Sequence, residues 1–183
     1  MFIKTTLSLA AVLVLGACAA GMGASPATTY SQTSLPAAVQ VPAGHRVALE
    51  TVGTGQITYA CRAKKDVAGA FEWAFVGPDA KLMNRQGQQV GTYFGPPATW
   101  ASRDGSWLTA TQVAVAPAAG GSIPLQLVKA DDAMGKGAMQ GVTYIQRVDT
   151  RGGVAPTTAC GAGQLGRKEI VNYQADYIFW KAV

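Results

Sequence analysis

Apolar and polar residues alternate with a period of two in several short runs of this chain, a pattern typical of β-strands with one buried face. In residues 56–62, for example, Ile57, Tyr59 and Cys61 share one face. Aromatic and β-branched residues, which strands favour, fill these runs. The predicted strands are residues 46–51, 56–62, 71–76, 89–94, 107–115, 123–129, 142–148 and 173–180.

Glycine-rich and Asp-Gly signals separate the runs and predict short turns. A length of 183 residues fits one domain. Many short strands with such turns predict a single all-β domain, either an antiparallel β-sandwich or a barrel-like sheet. No alternation of strands and helices supports a dinucleotide-binding fold. The predicted turns are residues 53–55, 77–79, 86–87, 104–105, 119–121 and 152–153.

The N-terminus carries the pattern of a secretory signal. Lys4 supplies the positive charge, and residues 7–15 form an apolar run that is too short for a membrane span of about 20 residues. Residues 15–18 read Leu-Gly-Ala-Cys, which resembles the lipobox of bacterial lipoproteins. The resemblance implies cleavage after residue 17 and a lipid anchor on Cys18. The alternative is an ordinary secretory signal cut near Ala17 or Ala20.

Where the anchor would lie follows from the next residue. Ala19 stands where an Asp would resemble the signal for retention in the inner membrane. The analogy favours the outer membrane, facing the periplasm, while the inner membrane and the cell surface stay open as alternatives. Residues 19–38 contain no charged residue and are rich in small residues, which predicts a flexible tether over 18–38 and a folded domain over 39–183.

The three cysteines divide into one lipid carrier and one pair. Once Cys18 is assigned to the lipid, Cys61 and Cys160 remain, and an even number in an exported chain favours a disulfide. Two buried free thiols are the alternative. A loop of about 100 residues closed in this way stabilises a fold by about 4.7 kcal/mol in the chain-entropy treatment.

Composition excludes several kinds of site. The single His cannot build a zinc centre of the two- or three-His kind, so we predict no metal and no cofactor. The net charge of +5 is spread along the chain rather than clustered, which argues against nucleic acid as a partner. An exported basic domain meets anionic envelope polymers, so weak contact with them is a hypothesis beside a merely solvated basic surface.

The aromatic-rich middle is the segment that most resembles a ligand site. Tyr93 and Trp100 flank a Pro-Pro sequence, and Asp104 follows in a predicted turn. Aromatic rings beside a carboxylate on a rigid loop are suited to a sugar or small-molecule pocket. The alternative is that Tyr93 and Trp100 fill one end of the core.

Several segments together resemble one family, the bacterial and fungal domain-of-unknown-function family 3455. The most specific part reads I-Q-R-V-x-T-x-G-G-x-A-P at residues 145–156, and the resemblance covers about residues 40–180. It implies a secreted domain with no established activity. Family members often carry His near the position of Tyr93 and an acid after the Trp, where this chain has Ala101. The other segments are residues 50–61, 73–80, 91–100, 104–106, 160 and 173–179.

Arg147 lies within that string among apolar strand neighbours, so it is expected to need a carboxylate partner. Asp104, Asp149 and Asp176 are the candidates, and a structural salt bridge is favoured over catalysis. Two functional hypotheses follow. The first is a lipid-anchored, non-enzymatic β-domain that binds a small molecule, a glycan or an envelope component through Tyr93, Trp100, Asp104 and Arg147. The second is a secreted hydrolase that uses an Asp, Tyr and Arg site near Asp104.

Overall fold

The computed structural model describes Met1 and residues 30–183, and its strands form one closed sheet. Each strand pairs antiparallel with the next, and the last pairs back with the first, so the sheet closes into a barrel. The all-β prediction is confirmed. Of the two predicted architectures, the β-sandwich and the barrel, the structure has the barrel. The strands are β1 (His45–Ala63), β2 (Phe71–Met83), β3 (Gln89–Phe94), β4 (Thr99–Ser102), β5 (Trp107–Ala116), β6 (Leu125–Ala130), β7 (Val142–Gly152) and β8 (Lys168–Ala182).

Two of the predicted turns are wrong, because their glycines lie inside long strands. Residues 53–55 are in the middle of the 19-residue β1, and residues 77–79 are in β2. A Cβ atom on Gly53 would lie 2.5 Å from the Tyr177 ring, and one on Gly55 would collide with the backbone of β2. Glycine inside a strand marks a close approach of this kind as readily as a turn. The short β4 was not predicted as a strand.

The barrel interior holds the larger of two apolar clusters. Side chains from all eight strands point into it, following the strand alternation that the sequence displays. Its buried members include Ile57, Tyr59, Leu82, Tyr93, Trp100, Leu108, Val128, Ile145, Tyr173, Tyr177 and Phe179. Within residues 30–183, the only helical segments are the 3-10 turns Ala37–Val39 and Ala162–Gln164, and no helix there has the length and apolar character that a membrane crossing needs.

A second apolar cluster lies outside the barrel, under residues 30–44, which we call the strap. Val39 and Val41 of the strap are 0% and 4% exposed, and they pack against the outer face of β5 to β8. Residues 30–38, which the sequence analysis placed in the tether, therefore lie on the barrel. Residues 1–17 and the candidate lipid carrier Cys18 fall outside the described part, apart from Met1. The barrel side of this cluster is formed by Ala116, Leu127, Val148, Ile178 and Trp180.

A buried amide fixes the strap to the barrel. Oε1 of Gln146 accepts hydrogen bonds from Trp180 Nε1 at 2.9 Å and from the Tyr30 hydroxyl at 3.2 Å. Nε2 of Gln146 donates to the Val39 carbonyl at 2.7 Å and to Gln32 Oε1 at 2.9 Å. All the hydrogen-bonding capacity of this fully buried amide is used, so the free-energy cost of burying it is offset. The amide therefore specifies where the strap lies.

Cys61 and Cys160 form the predicted disulfide, across 99 positions of sequence. The bond ties the connection between β7 and β8 to the end of β1. Two backbone hydrogen bonds reinforce the link, from Cys61 N to the Arg167 carbonyl at 2.8 Å and from Gly166 N to the Cys61 carbonyl at 2.9 Å.

Removing this disulfide is expected to lower the free energy of unfolding by about 2–5 kcal/mol, because the unfolded chain regains the entropy of a long loop. Urea unfolding of a Cys61→Ser, Cys160→Ser variant against the oxidised parent measures the loss. Both proteins should carry Cys18→Ser, so that only the bridge differs. An unchanged unfolding midpoint would contradict the prediction.

Candidate functional site

Tyr93 and Trp100, two of the predicted site residues, lie inside the barrel rather than on an exposed loop. They face each other across β3 and β4, and their exposed fractions are 6% and 1%. Their rings stack with centroids 4.6 Å apart, and the Tyr177 ring lies 5.0 Å from Tyr93 and 6.0 Å from Trp100. Tyr93 and Trp100 therefore fill part of the core, as the alternative interpretation of this segment predicts.

Arg147 also faces the interior. It is the cross-strand partner of Tyr177, and directly paired residues of antiparallel strands point to the same face. Its Nε and Nη2 atoms donate to the Pro124 carbonyl, at 3.1 and 2.9 Å.

The prediction that Arg147 pairs with a carboxylate is wrong. Among residues 30–183 the ion pairs leave Arg147 out: Asp149 pairs with Arg151 at 3.2 Å, and Asp176 pairs with Arg85 at 2.8 Å. Asp176 points outward because it pairs with Val148, an outer-face residue, and Asp149 lies in a bulge of β7 next to the outward-facing Arg151.

The phenols of the interior share one electrostatic environment. Burial raises the pKa of Tyr59, Tyr93, Tyr173 and Tyr177, and in each case the positive charge of Arg147 opposes the rise. The Tyr173 and Tyr177 hydroxyls lie 3.2 Å apart and form a hydrogen bond. Arg147 is thus electrostatically coupled to a cluster of neutral, buried phenols.

Asp104 does not join this group. It lies in the connection between β4 and β5, whereas Pro124, the partner of Arg147, lies in the next connection, and successive connections of this barrel alternate between its two ends. Oδ1 of Asp104 accepts from Ser106 N at 2.9 Å and from Ser106 Oγ at 2.6 Å, and Oδ2 accepts from Ala138 N at 2.7 Å. These bonds hold the pKa of Asp104 well below its usual range.

Polar side chains line a shallow groove of about 780 Å³ on the outer face, which we call the outer groove. Two cross-strand rows build it. One row runs from Asp79 through Gln56 to Asn172, and the other connects Lys81, Thr54, Gln174 and Arg151. Gln56 Nε2 donates to Asn172 Oδ1 at 3.4 Å, and Arg151 pairs with Asp149 at 3.2 Å. A smaller depression of about 640 Å³ borders Asp104.

Residues 42–181 match the family described as Protein of unknown function (DUF3455). The chain belongs to the DUF3455 family. No curated protein and no solved structure matches it. The matched region of this DUF3455 protein begins just before β1 and ends within β8, so it corresponds to the barrel, while strap residues 30–41 precede it.

Sequence reasoning on this DUF3455 domain missed the outer groove. The groove residues are ordinary outward-facing strand positions, and no motif distinguishes them. Only the register of β2, β1 and β8 brings Asp79, Gln56 and Asn172 into one row. A weak signal existed in Gly55, whose lack of a side chain allows β1 to approach β2 closely at the groove.

The Asp104 contacts give a prediction for the DUF3455 barrel. Asp104→Ala should lower the free energy of unfolding at neutral pH by about 1–2 kcal/mol, since hydrogen bonds to charged groups contribute about that much. Because the folded-state pKa is depressed, this contribution is present above the unfolded value of about 3.9 and is lost as the pH falls below it. The difference between parent and variant in urea unfolding should therefore shrink towards acid pH, and a pH-independent difference would contradict this assignment. Asp132→Ala, at an exposed position in a nearby loop, is the control.

Proposed function

We propose that this DUF3455 protein is an exported, lipid-anchored, non-enzymatic binding domain whose outer groove binds a hydroxyl-rich glycan of the cell envelope. The observation that carries the binding role is the groove of about 780 Å³ crossing strands of the outer face. Strands are spaced by about 4.8 Å, so rows that cross four strands extend over roughly 14 Å, which suits several units of an extended polymer rather than one small molecule.

The chemistry of the groove supports a neutral, hydroxyl-rich ligand. The amides of Gln56, Asn172 and Gln174 each offer donors and acceptors, as sugar hydroxyls require. Asp79 and Lys81 add one charge of each sign, and the charge of Arg151 is paired with Asp149. Next to Asp79 in register, Phe94 is 45% exposed on the same outer face and offers an aromatic surface for a sugar ring.

The location rests on the lipobox-like residues 15–18. We propose that the lipid on Cys18 anchors the domain in the outer membrane, facing the periplasm. The net charge of +5 of the whole chain becomes +4 when Lys4 is removed with residues 1–17, and this charge adds weak attraction to anionic polymers there. With the strap docked, residues 19–29 would link the lipid to the barrel. The alternative hydrolase has less support, because both oxygens of Asp104 are already engaged by Ser106 and Ala138.

Glycan binding is tested with the Cys18→Ser chain and the tetramer of N-acetylglucosamine as probe. We expect saturable binding by calorimetry, weakened at least tenfold in a Gln56→Ala, Asn172→Ala variant, because each lost hydrogen-bonding group leaves a ligand hydroxyl unpaired. Gln86→Ala, in the exposed turn between β2 and β3, is the matched control and should bind like the parent. Equal binding by all three proteins would overturn the groove assignment.

The anchor is tested separately. Cys18→Ser should move the protein from the membrane fraction to the soluble fraction, since it removes the acceptor of the lipid. A Cys61→Ser, Cys160→Ser variant that keeps Cys18 should stay with membranes. If the Cys18→Ser protein still sediments with membranes, the proposed anchor is wrong.

A further inference from the structure

At one end of the barrel, inward-facing side chains reach solvent. At the end that carries the β1–β2 and β5–β6 connections, some side chains face inward and are nevertheless exposed. Phe75 pairs with the interior residue Tyr59 and is 54% exposed, and Val115, at 46%, pairs with Gln126, which in turn pairs with Arg147. We call this end of the barrel the mouth and define it by Phe75, Val115, Gln126 and Arg147.

Arg147 brings an uncompensated positive charge to this mouth. Within the described residues it forms no ion pair, and its two hydrogen bonds both go to one acceptor, the Pro124 carbonyl. A guanidinium has five N–H donors in a planar fork, so donors remain for a ligand. Arg147 is half-buried and its hydrogen bonds to Pro124 are solvent-exposed, so an anion from outside can reach the remaining donors.

Several aromatic side chains of the interior carry polar hydrogens that are not all paired. The Tyr173 and Tyr177 hydroxyls share one hydrogen bond, which leaves one of the two protons without an acceptor. In the part of the chain that the structure describes, Nε1 of the buried Trp100 has no hydrogen-bond partner. The raised pKa values of Tyr173 and Tyr177 keep these phenols protonated, and therefore donors, at neutral pH. These neutral phenols therefore leave the positive charge of Arg147 uncompensated from within the barrel.

We infer that the mouth binds a small organic carboxylate with an apolar, preferably aromatic, body. The carboxylate accepts hydrogen bonds from the planar guanidinium of Arg147, whose geometry favours bidentate pairing. The apolar body lies against Phe75 and Tyr59, whose rings already meet edge to face with centroids 6.1 Å apart. This site lies on the inner face of the sheet and is separate from the outer groove, so each can fail without the other.

The test uses the Cys18→Ser chain with benzoate and with benzamide, its neutral counterpart of similar shape. We expect benzoate to raise the melting temperature and to bind at least tenfold more tightly than benzamide, because only the carboxylate meets the charge of Arg147. This comparison needs no variant. Equal binding of the two compounds, or no binding of benzoate, would overturn the inference.

Variants of Arg147 test whether this residue binds the carboxylate. Arg147→Met should weaken benzoate at least tenfold and leave benzamide unchanged, while Arg147→Lys, which keeps the charge and loses the fork, should fall between. Arg151→Met removes an arginine from the outer face of the same strand and is the control, expected to bind benzoate like the parent. An Arg151→Met protein that loses as much affinity as Arg147→Met would show non-specific attraction of anions and overturn the site. Binding of the glycan probe in the outer groove should survive Arg147→Met, which separates this result from the proposed function.

Discussion

Above about pH 10 the barrel is expected to lose stability steeply, because its interior tyrosines resist ionisation. Burial raises the pKa of Tyr93, Tyr173 and Tyr177, so the folded protein keeps phenol protons that the unfolded chain releases. The stabilisation is complete below the unfolded pKa of about 10 and is lost as the pH rises above it. Each such tyrosine contributes up to about 1.4 kcal/mol per pH unit, so these three give up to about 4 kcal/mol per pH unit. Tyr30 and Tyr59, whose pKa burial also raises, add to this slope.

Urea unfolding between about pH 8 and pH 11, without reductant, measures this slope. Tyr177→Phe should reduce the slope by up to about 1.4 kcal/mol per pH unit, since this group no longer titrates. Tyr144→Phe, on the outer face under the strap, should leave the interior contribution in place. A parent protein whose unfolding free energy stays flat across this pH range would contradict the interior assignment of the tyrosines.

Removal of the strap is the second change with a large expected effect. A chain that begins at residue 45 loses the buried side chains of Val39 and Val41 and uncovers Ile178 and Trp180 on the barrel. Burying a side chain of this size contributes about 1.5–3 kcal/mol, so the free energy of unfolding should fall by about 3–6 kcal/mol relative to a chain that begins at residue 30. The uncovered apolar face should also promote self-association.

Chains starting at residues 30, 39 and 45, compared by urea unfolding and by light scattering, separate the contributions. The chain from 39, the boundary that the sequence predicts, keeps both valines and loses the hydrogen bonds that Tyr30 and Gln32 make to Gln146. It should therefore lie between the other two. Equal stability of the chains from 30 and 45 would mean that the strap does not stabilise the barrel.

The sequence predicted the strands best where alternation was strong. Residues 89–94 match β3, and the runs at 56–62, 142–148 and 173–180 lie inside β1, β7 and β8. It was wrong at Gly53 and Gly77, because a glycine that permits close contact between strands looks the same in sequence as one that makes a turn. It also placed residues 30–38 in a tether, since their few apolar side chains do not indicate a partner surface.

Among the four predicted site residues, the sequence did not determine which ones lie together in the fold. Tyr93, Trp100 and Arg147 all face the interior, while Asp104 fastens the loop around Ala138 near the other end. The carboxylate partner expected for Arg147 is absent among the described residues. Each of these outcomes depends on which strands are neighbours, a non-local property that no single segment encodes.

The sequence by itself determined the all-β class, the pairing of Cys61 with Cys160 and membership of the DUF3455 family, because strand alternation, an even cysteine pair and a family motif are all local or countable. The tertiary structure alone decided that the sheet closes into a barrel, that the strap covers its outer face and that a groove crosses β2, β1 and β8. Closure joins β1 to β8 across most of the chain, and the register of that pairing selects which side chains meet.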